Sequence, residues 1–148
     1  MSSRNEWLML ADYAEVIAGK LYLHGGGWDR LTVGSEFPTA KIIGIAASFV
    51  VPWNETNKKI AARIEIQTQD GAIVGKLDGQ FEVGRPAGIP PGQDQRFQLA
   101  ANVPMKFDSA GVFALVGYVD GEESARTPFY VVAGPGVQEK GKQAAEPG

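Results

Sequence analysis

Apolar and polar residues alternate along much of the chain, and this alternation predicts β-strands. The segment IAARIEIQ (60–67) has an apolar residue at every second position, and QFEV (80–83) and RFQLAANV (96–103) repeat the period. Because successive side chains of a strand point to opposite faces, these segments predict strands with one buried and one solvated face. In the first segment the solvated face carries Arg63, Glu65 and Gln67.

Three other segments are apolar on both faces: KIIGIAASFVV (41–51), GVFALVGYV (111–119) and PFYVV (128–132). A strand without a polar side is typical of the interior of a sheet whose two faces are both covered. We therefore expect these three to be central strands. Their outer faces need a cover, which is either another part of the chain or another molecule.

The N-terminal segment fits two structures. Residues 5–19 (NEWLMLADYAEVIAG) have apolar residues at helical spacing, with Asn5 placed to cap a helix and Gly19 to end it. The following alternation of Leu21 and Leu23 instead indicates a hairpin that turns at Ala18-Gly19. We favour the hairpin, although alanine is a weaker turn residue there than asparagine or aspartate.

The turn residues set the fold class. Nineteen glycines and nine prolines separate the apolar segments. Roughly eight short strands with regular turns are typical of an all-β protein, a single antiparallel β-sandwich that is immunoglobulin-like or jelly-roll-like. We expect this domain to cover residues 6–133. Residues 134–148 have almost nothing to bury and are predicted to form a polar C-terminal arm.

The string His24-Gly25-Gly26-Gly27-Trp28 resembles the oxyanion loop of lipases and esterases. That chemistry also needs a serine on a G-x-S-x-G turn and a histidine base. The pentapeptide is absent, and the single histidine lies inside the loop itself. We therefore expect a bend at the end of a strand, where the glycines let the chain turn and bring Trp28 back onto the sheet.

Composition narrows the functions further. The chain has no cysteine, one histidine and a net charge of −3 without a basic run longer than Lys58-Lys59. Thiol chemistry is excluded, and we expect no catalytic residues, no metal, no cofactor and no nucleic-acid partner. The longest uncharged apolar run is too short to span a bilayer, so no membrane association is expected. Glu65, Asp78 and Glu82 are interpreted as solvated carboxylates and not as a glycosidase pair.

Two loops carry the residues that we consider for binding. The segment GRPAGIPPGQDQ (84–95) is too rich in proline for a sheet ladder and is predicted to run extended. VVPWNETNKK (50–59) is predicted to be a long connection between strands. Its Trp53, together with Trp28, either stacks on a sugar or seals the end of the core, and we favour the core.

Three separated segments resemble one family: LADYAEVIAGKLYLHGGGWD (10–29), VPWNETN (51–57) and FEVGRPAGIPPG (81–92). They are similar to small bacterial proteins of unknown function that also occur in phage genomes. This chain differs from them at Ala18, where similar proteins often have aspartate or asparagine. The resemblance supports the fold, carries no activity, and marks Asp12, the glycine loop with Trp28, Trp53 and Arg85 as positions of interest.

Together these features predict a non-enzymatic structural or interaction module. We expect a subunit or decoration protein of a larger assembly such as a phage particle, made in the cytoplasm, whose partners are proteins. The arm and the proline-rich loop would lay extended backbone across a neighbour. The alternative is a carbohydrate-binding or small-ligand-binding sandwich. The candidate binding residues are Trp28, Trp53, Arg85, Pro90 and Pro91.

Overall fold

The computed structural model describes residues 2–134, which form nine β-strands and one short 3-10 turn. The strands are β1 (Arg4–Ile17), β2 (Lys20–Gly26), β3 (Arg30–Val33), β4 (Thr39–Val51), β5 (Lys59–Thr68), β6 (Ile73–Glu82), β7 (Gln95–Phe107), β8 (Gly111–Val119) and β9 (Glu122–Ala133), and the turn is Trp53–Glu55. No helix within this range is long and apolar enough to cross a membrane. The predicted all-β class is confirmed. The predicted arm, from residue 135 onward, lies outside the described residues.

The strands form two sheets that pack face to face, so the predicted β-sandwich is confirmed. Sheet A has the order β2-β1-β4-β7, and sheet B has the order β3-β9-β8-β5-β6. Every pair is antiparallel except the short parallel pair of β3 with β9. Strands β4 and β7 are neighbours in one sheet, while β5 and β8 are neighbours in the other. This order corresponds to the B–E and C–F pairs of the immunoglobulin fold.

The core lies between the sheets and uses the alternation that the sequence shows. Ile60, Ala62, Ile64 and Ile66 all point inward and are buried, as predicted for β5. At the end of the sandwich where β8 begins, Phe113 packs on two further rings, with centroid distances of 5.3 Å to Phe107 and 5.6 Å to Phe129. The three segments that are apolar on both faces lie in β4, β8 and β9, which are interior strands as expected.

The N-terminal segment is the predicted hairpin. Strands β1 and β2 pair from Ala11 to Gly26 and turn at Ala18-Gly19, both with positive φ (51° and 76°). Positive φ at both positions is the two-residue turn that matches strand twist, and it favours asparagine or glycine over alanine. A local turn therefore overrides the helical spacing of the apolar residues.

The hairpin also covers the outer face of sheet A. Pairing of β1 with β4 ends at Gly44, and beyond it both hairpin strands approach β7 across β4. There the Asn102 amide donates to the carbonyl of Ala14 (2.8 Å) and its oxygen accepts from the Ala14 N–H (3.0 Å). On the outer face of β4, Ala46 and Ser48 are fully buried. The chain itself thus supplies the cover over Ala46 and Ser48, while Ile42, at the other end of the same face, is 63% exposed.

Candidate interaction site

One flank of the sandwich is left open where the edge strand of sheet A faces the edge strand of sheet B. We call this groove between β7 and β6 the seam. Its walls come from β5, β6 and β7 and are mostly apolar, with Ala62, Ile64, Leu77, Phe81, Phe97, Leu99 and Ala101. Asp78, Gly79 and Gln80 of β6 also line it. Leu77, Phe97, Leu99 and Ala101 are only half-buried, although they point toward the core. The seam is therefore a part of the core that still contacts solvent.

Both ends of the seam are closed by side-chain contacts. At one end the rings of Phe81 and Phe97 stack at 4.2 Å, nearly parallel. At the other end Met105 reaches across to β6, where a Cβ on Gly75 would lie 2.8 Å from its sulfur. A side chain at this position would therefore shift the flexible end of Met105. These two closures fix the length and the depth of the groove.

Two cavities lie along the seam. One of about 230 Å³ is bordered by Phe97 and Leu99, and the next, of about 220 Å³, is bordered by Val103 and Met105. Small-molecule sites usually enclose roughly 300–1,000 Å³. Each cavity is smaller than this range and suits an apolar side chain better than a cofactor. A strand added to a sheet edge seats alternate side chains in pockets of this kind.

The strand that borders the seam presents an unprotected edge. Strand β7 pairs with β4 without a register shift from Gln95 to Phe107, and within residues 2–134 no strand pairs with its other side. Natural edge strands are usually blunted by charge, proline or a bulge. In β7 the charged residues and the proline lie at the ends, at Arg96, Pro104 and Lys106, and residues 97–103 have none. The middle of β7 is thus free to accept another strand.

The opposite flank is closed. There the chain crosses from β2 to β3, and Trp28 packs against the core from this crossing. Hydrogen bonds hold the crossing on both sides: the Gly27 N–H donates to Leu10 O and the Tyr130 N–H donates to Asp29 O, each at 2.8 Å. Gly25 and Gly27 have positive φ (62° and 84°), so the glycine run is the predicted bend. Trp28 lies where the core-sealing interpretation places it.

His24 lies on the exposed face of β2, at the end predicted from its pattern. Its ring faces that of Tyr13, with a centroid distance of 6.0 Å. Within residues 2–134 no group of three or more histidine, cysteine, aspartate or glutamate side chains is placed to hold a metal ion.

The proline-rich loop contains two successive turns, so the prediction that it runs extended is wrong. The Ile89 N–H donates to Pro86 O and the Gln93 N–H donates to Pro90 O, both at 3.2 Å. Gly88 and Gly92 have φ of 93° and 85° at the third position of these turns, where a type II turn requires glycine. The spacing of proline and glycine two residues apart therefore outweighs the general preference of proline for extended chain. Pro90 and Pro91 are exposed at the second turn.

Trp53 and Arg85 are brought together at the base of this loop. The Arg85 guanidinium lies 3.8 Å from the centre of the Trp53 ring. It donates from Nε to Thr56 Oγ1 at 2.7 Å and from Nη2 to Trp53 O at 3.1 Å. One face of the indole is thus covered by its own chain, and within residues 2–134 no ring contact joins Trp53 to Trp28. The two tryptophans that were considered as a sugar platform do not form one surface.

The same loop folds back over sheet A beside an ion pair. Arg96 donates from Nε and Nη2 to the two carboxylate oxygens of Glu6 at 2.8 and 2.9 Å, and Ser48 Oγ donates to Glu6 at 2.9 Å. Hydrogen bonds from Arg96 and then from Ser48 lower the pKa of Glu6 from 4.5 to about 2. Ile89 of the loop and Val50 of β4 line a cavity of about 420 Å³ next to this pair.

The ion pair predicts a dependence of stability on pH. Because the pKa of Glu6 is lower in the folded chain, its stabilisation is full above pH 4.5 and is lost as the pH falls toward 2. We expect Glu6→Gln to lower the free energy of unfolding at neutral pH and to flatten its fall over that acid range. Urea unfolding at several pH values measures both effects. Glu36→Gln, an exposed carboxylate without a hydrogen-bond partner in the described part of the chain, is the control; equal slopes for Glu6→Gln and the native chain would contradict the prediction.

The outer face of sheet B carries a polar network, and here the interpretation of Glu65 as solvated is wrong. Glu65 is 3% exposed and accepts from Gln67 Nε2 at 2.8 Å and from Arg63 Nη1 at 3.3 Å. Arg63 also donates from Nε to Asp78 at 2.9 Å, and this hydrogen bond lowers the pKa of Asp78. Glu82 lies at the far end of β6, opposite Lys59. Because β5 is an interior strand, neighbouring long side chains cover a carboxylate that alternation assigns to solvent.

Sequence reasoning did not find the seam. The alternation of Phe97, Leu99, Ala101 and Val103 shows which face of β7 points inward, but it does not show that β7 lies at an edge. One signal was available: the stretch 97–103 is uncharged and follows closely on the proline-rich loop.

The comparisons with known proteins agree with the resemblance seen in the sequence. The sequence model of a family described as a family of unknown function (DUF6941) matches residues 6–132. No curated protein matches the chain. The matched range covers all nine strands except the first two residues of β1 and the last residue of β9.

Proposed function

Since the chain belongs to the DUF6941 family, whose function is unknown, we propose a function from its own surfaces. The chain is a non-enzymatic interaction module that forms a subunit of a larger assembly and binds a protein partner at the seam. In finer form, the assembly is a virus particle such as a phage, and the chain stays in the cytoplasm until it joins that particle. The finer form rests on the resemblance to proteins that occur in phage genomes.

The open core at the seam is the observation that carries this proposal. Ala46 and Ser48 on the outer face of β4 are buried, and Trp28 packs against the core at the opposite flank. The flank between β6 and β7 leaves half-buried apolar side chains such as Leu99 beside two edges that no strand within residues 2–134 pairs. Contiguous apolar surface next to a free strand edge is typical of protein-binding sites.

The proline-rich loop supplies a second contact in this proposal. Its two turns are anchored at Arg85 by the stacking on Trp53, so the exposed pair Pro90-Pro91 is held at a defined place. The loop joins β6 to β7 and therefore lies at the end of the seam. A rigid exposed turn beside an open apolar groove loses little conformational entropy when a partner binds both.

The test is the size of the full chain in an extract of the cells that naturally produce it. We expect the native chain to sediment with an assembly far larger than 15.8 kDa, and Leu99→Lys to release it, because a lysine in the seam keeps the groove hydrated. Val132→Lys, at a half-buried valine on the outer face of β9, is the matched control and should stay in the assembly. A native chain that sediments alone would overturn the proposed function, and so would equal behaviour of the two variants when both are folded by circular dichroism.

A further inference from the structure

We infer that the seam binds a second copy of this chain, through reciprocal pairing in which β7 of each copy extends against β6 of the other. This inference deepens the proposed function, because it uses the same surface and names the first partner. A twofold axis along the strands, placed at the open flank, brings the two seams face to face. Sheet A of each copy then continues into sheet B of its partner, and the exposed apolar walls of both seams become covered.

The strand directions allow this pairing. Phe81, near the end of β6, stacks on Phe97, near the start of β7, whereas Gly75, near the start of β6, lies against Met105, near the end of β7. The two edges therefore run in opposite directions along the seam. Rotation about an axis parallel to the strands keeps each direction, so β7 meets β6 of the partner as an antiparallel pair, the commoner and slightly more stable kind.

The same rotation fixes which residues face each other. It keeps each residue at its own height along the strands, so Phe97 lies level with Phe81 of the second copy, just as it does within one chain. Counting outward along antiparallel strands places Arg96 opposite Glu82 of the second copy, and Gln98 opposite Gln80. Arg96 binds Glu6 of its own chain through Nε and Nη2, so its Nη1 is the group that faces Glu82 of the second copy. Opposite charges at facing positions stabilise a sheet, and the symmetry produces this contact twice.

The other symmetric arrangement is disfavoured by charge. A twofold axis perpendicular to the sheets and centred on Ala101 would pair β7 with β7 over its full length, which sets Arg96 opposite Lys106 of the second copy. Like charges that face each other across two strands are destabilising. Arg96 therefore selects β6, where Glu82 lies opposite it, over a second β7.

Cysteine cross-linking tests the register, and the absence of native cysteines makes the chain suited to it. Gln80 and Gln98 lie on outer faces of different sheets, so within one chain they are about 10 Å or more apart and cannot form a disulfide. In the reciprocal pair they face each other across neighbouring strands, at a distance that a disulfide bridges. We expect the purified full chain with Gln80→Cys and Gln98→Cys to give, on mild oxidation, a covalent dimer of about twice 15.8 kDa.

Matched controls distinguish cross-linking in the proposed register from cross-linking by random collision of two chains. Thr32→Cys with Gln98→Cys pairs an exposed site of the closed flank with the seam and should stay monomeric on oxidation. Light scattering of the native chain should give a dimer, and Leu99→Lys should weaken it at least about tenfold. The inference is overturned if the native chain is monomeric at high concentration and the Gln80–Gln98 variant does not cross-link. It is equally overturned if Gln98→Cys cross-links alone. If the monomeric chain still sediments with a large assembly in the extract, the proposed function stands with a different partner.

Discussion

Gly117→Ala is expected to lower the free energy of unfolding by about 3 kcal/mol or more. Gly117 lies on the inner face of β8, against a bulge of β1 between Asn5 and Trp7. An added Cβ would fall on the amide oxygen of Asn5 and 3.4 Å from Leu8 Cδ1. Asn5 cannot move away cheaply, because it is 4% exposed and its amide donates to Trp7 O (3.0 Å) and Ser48 O (2.9 Å). Urea unfolding measures the loss.

Two further variants isolate the cause. At Gly79, on the edge strand β6, an added Cβ would meet nothing within 4 Å, so Gly79→Ala should change stability by less than about 1 kcal/mol. Asn5→Ala removes the obstructing amide, and in that background Gly117→Ala should cost much less than in the native chain. Additive losses in the double variant would show that Asn5 and Gly117 are not in contact and would contradict the prediction.

Asn102→Ala is expected to lower the free energy of unfolding by about 2 kcal/mol, with the effect concentrated in the β1–β2 hairpin. The Asn102 side chain satisfies both backbone groups of Ala14, which is 1% exposed, at the point where β1 has left β4. Removing it leaves a buried N–H and a buried carbonyl without their partner. Hydrogen exchange should quicken in residues 11–26 and stay unchanged in β5 and β8.

An aspartate at the same position refines this test. Asn102→Asp can still accept from the Ala14 N–H but cannot donate to its carbonyl. We therefore expect it to lower the free energy of unfolding relative to the native chain, with the same local pattern of exchange as Asn102→Ala. Gln98→Ala, four residues earlier on the same face of β7, is the control for loss of a side chain on this strand and should leave the hairpin protected. Uniform exchange across all strands in Asn102→Ala would contradict the anchoring role.

Much of the fold was predictable because the relevant signals are local. Alternation placed Ile60, Ala62, Ile64 and Ile66 on one buried face, since the side-chain period of a strand depends only on its own backbone. The hairpin at Ala18-Gly19 was predictable from the turn and the leucines after it. The bend at the glycine run was also predictable, because glycine tolerates positive φ regardless of the surrounding fold.

Other features depended on local rules that compete. The loop at 84–95 was expected to be extended from its proline content, but the glycines at 88 and 92 made two turns of it. Glu65 was expected to be solvated from its place in the alternation, but interior position and the neighbours Arg63 and Gln67 buried it. In each case the pattern predicted the element correctly. The conformation of the loop and the burial of Glu65 were predicted incorrectly.

The sequence by itself determined the all-β class, the positions of most strands, the inward faces of β5, β6 and β7, and the interior character of β4, β8 and β9. Only the tertiary structure decided which strands form the edges, that the hairpin covers sheet A through Asn102, that Trp28 closes one flank, and that the seam on the other flank stays open. The physical reason is how far apart along the chain the interacting residues lie. Strand formation and side-chain alternation are properties of neighbouring residues, whereas an edge and a groove exist only once segments far apart in the chain have paired.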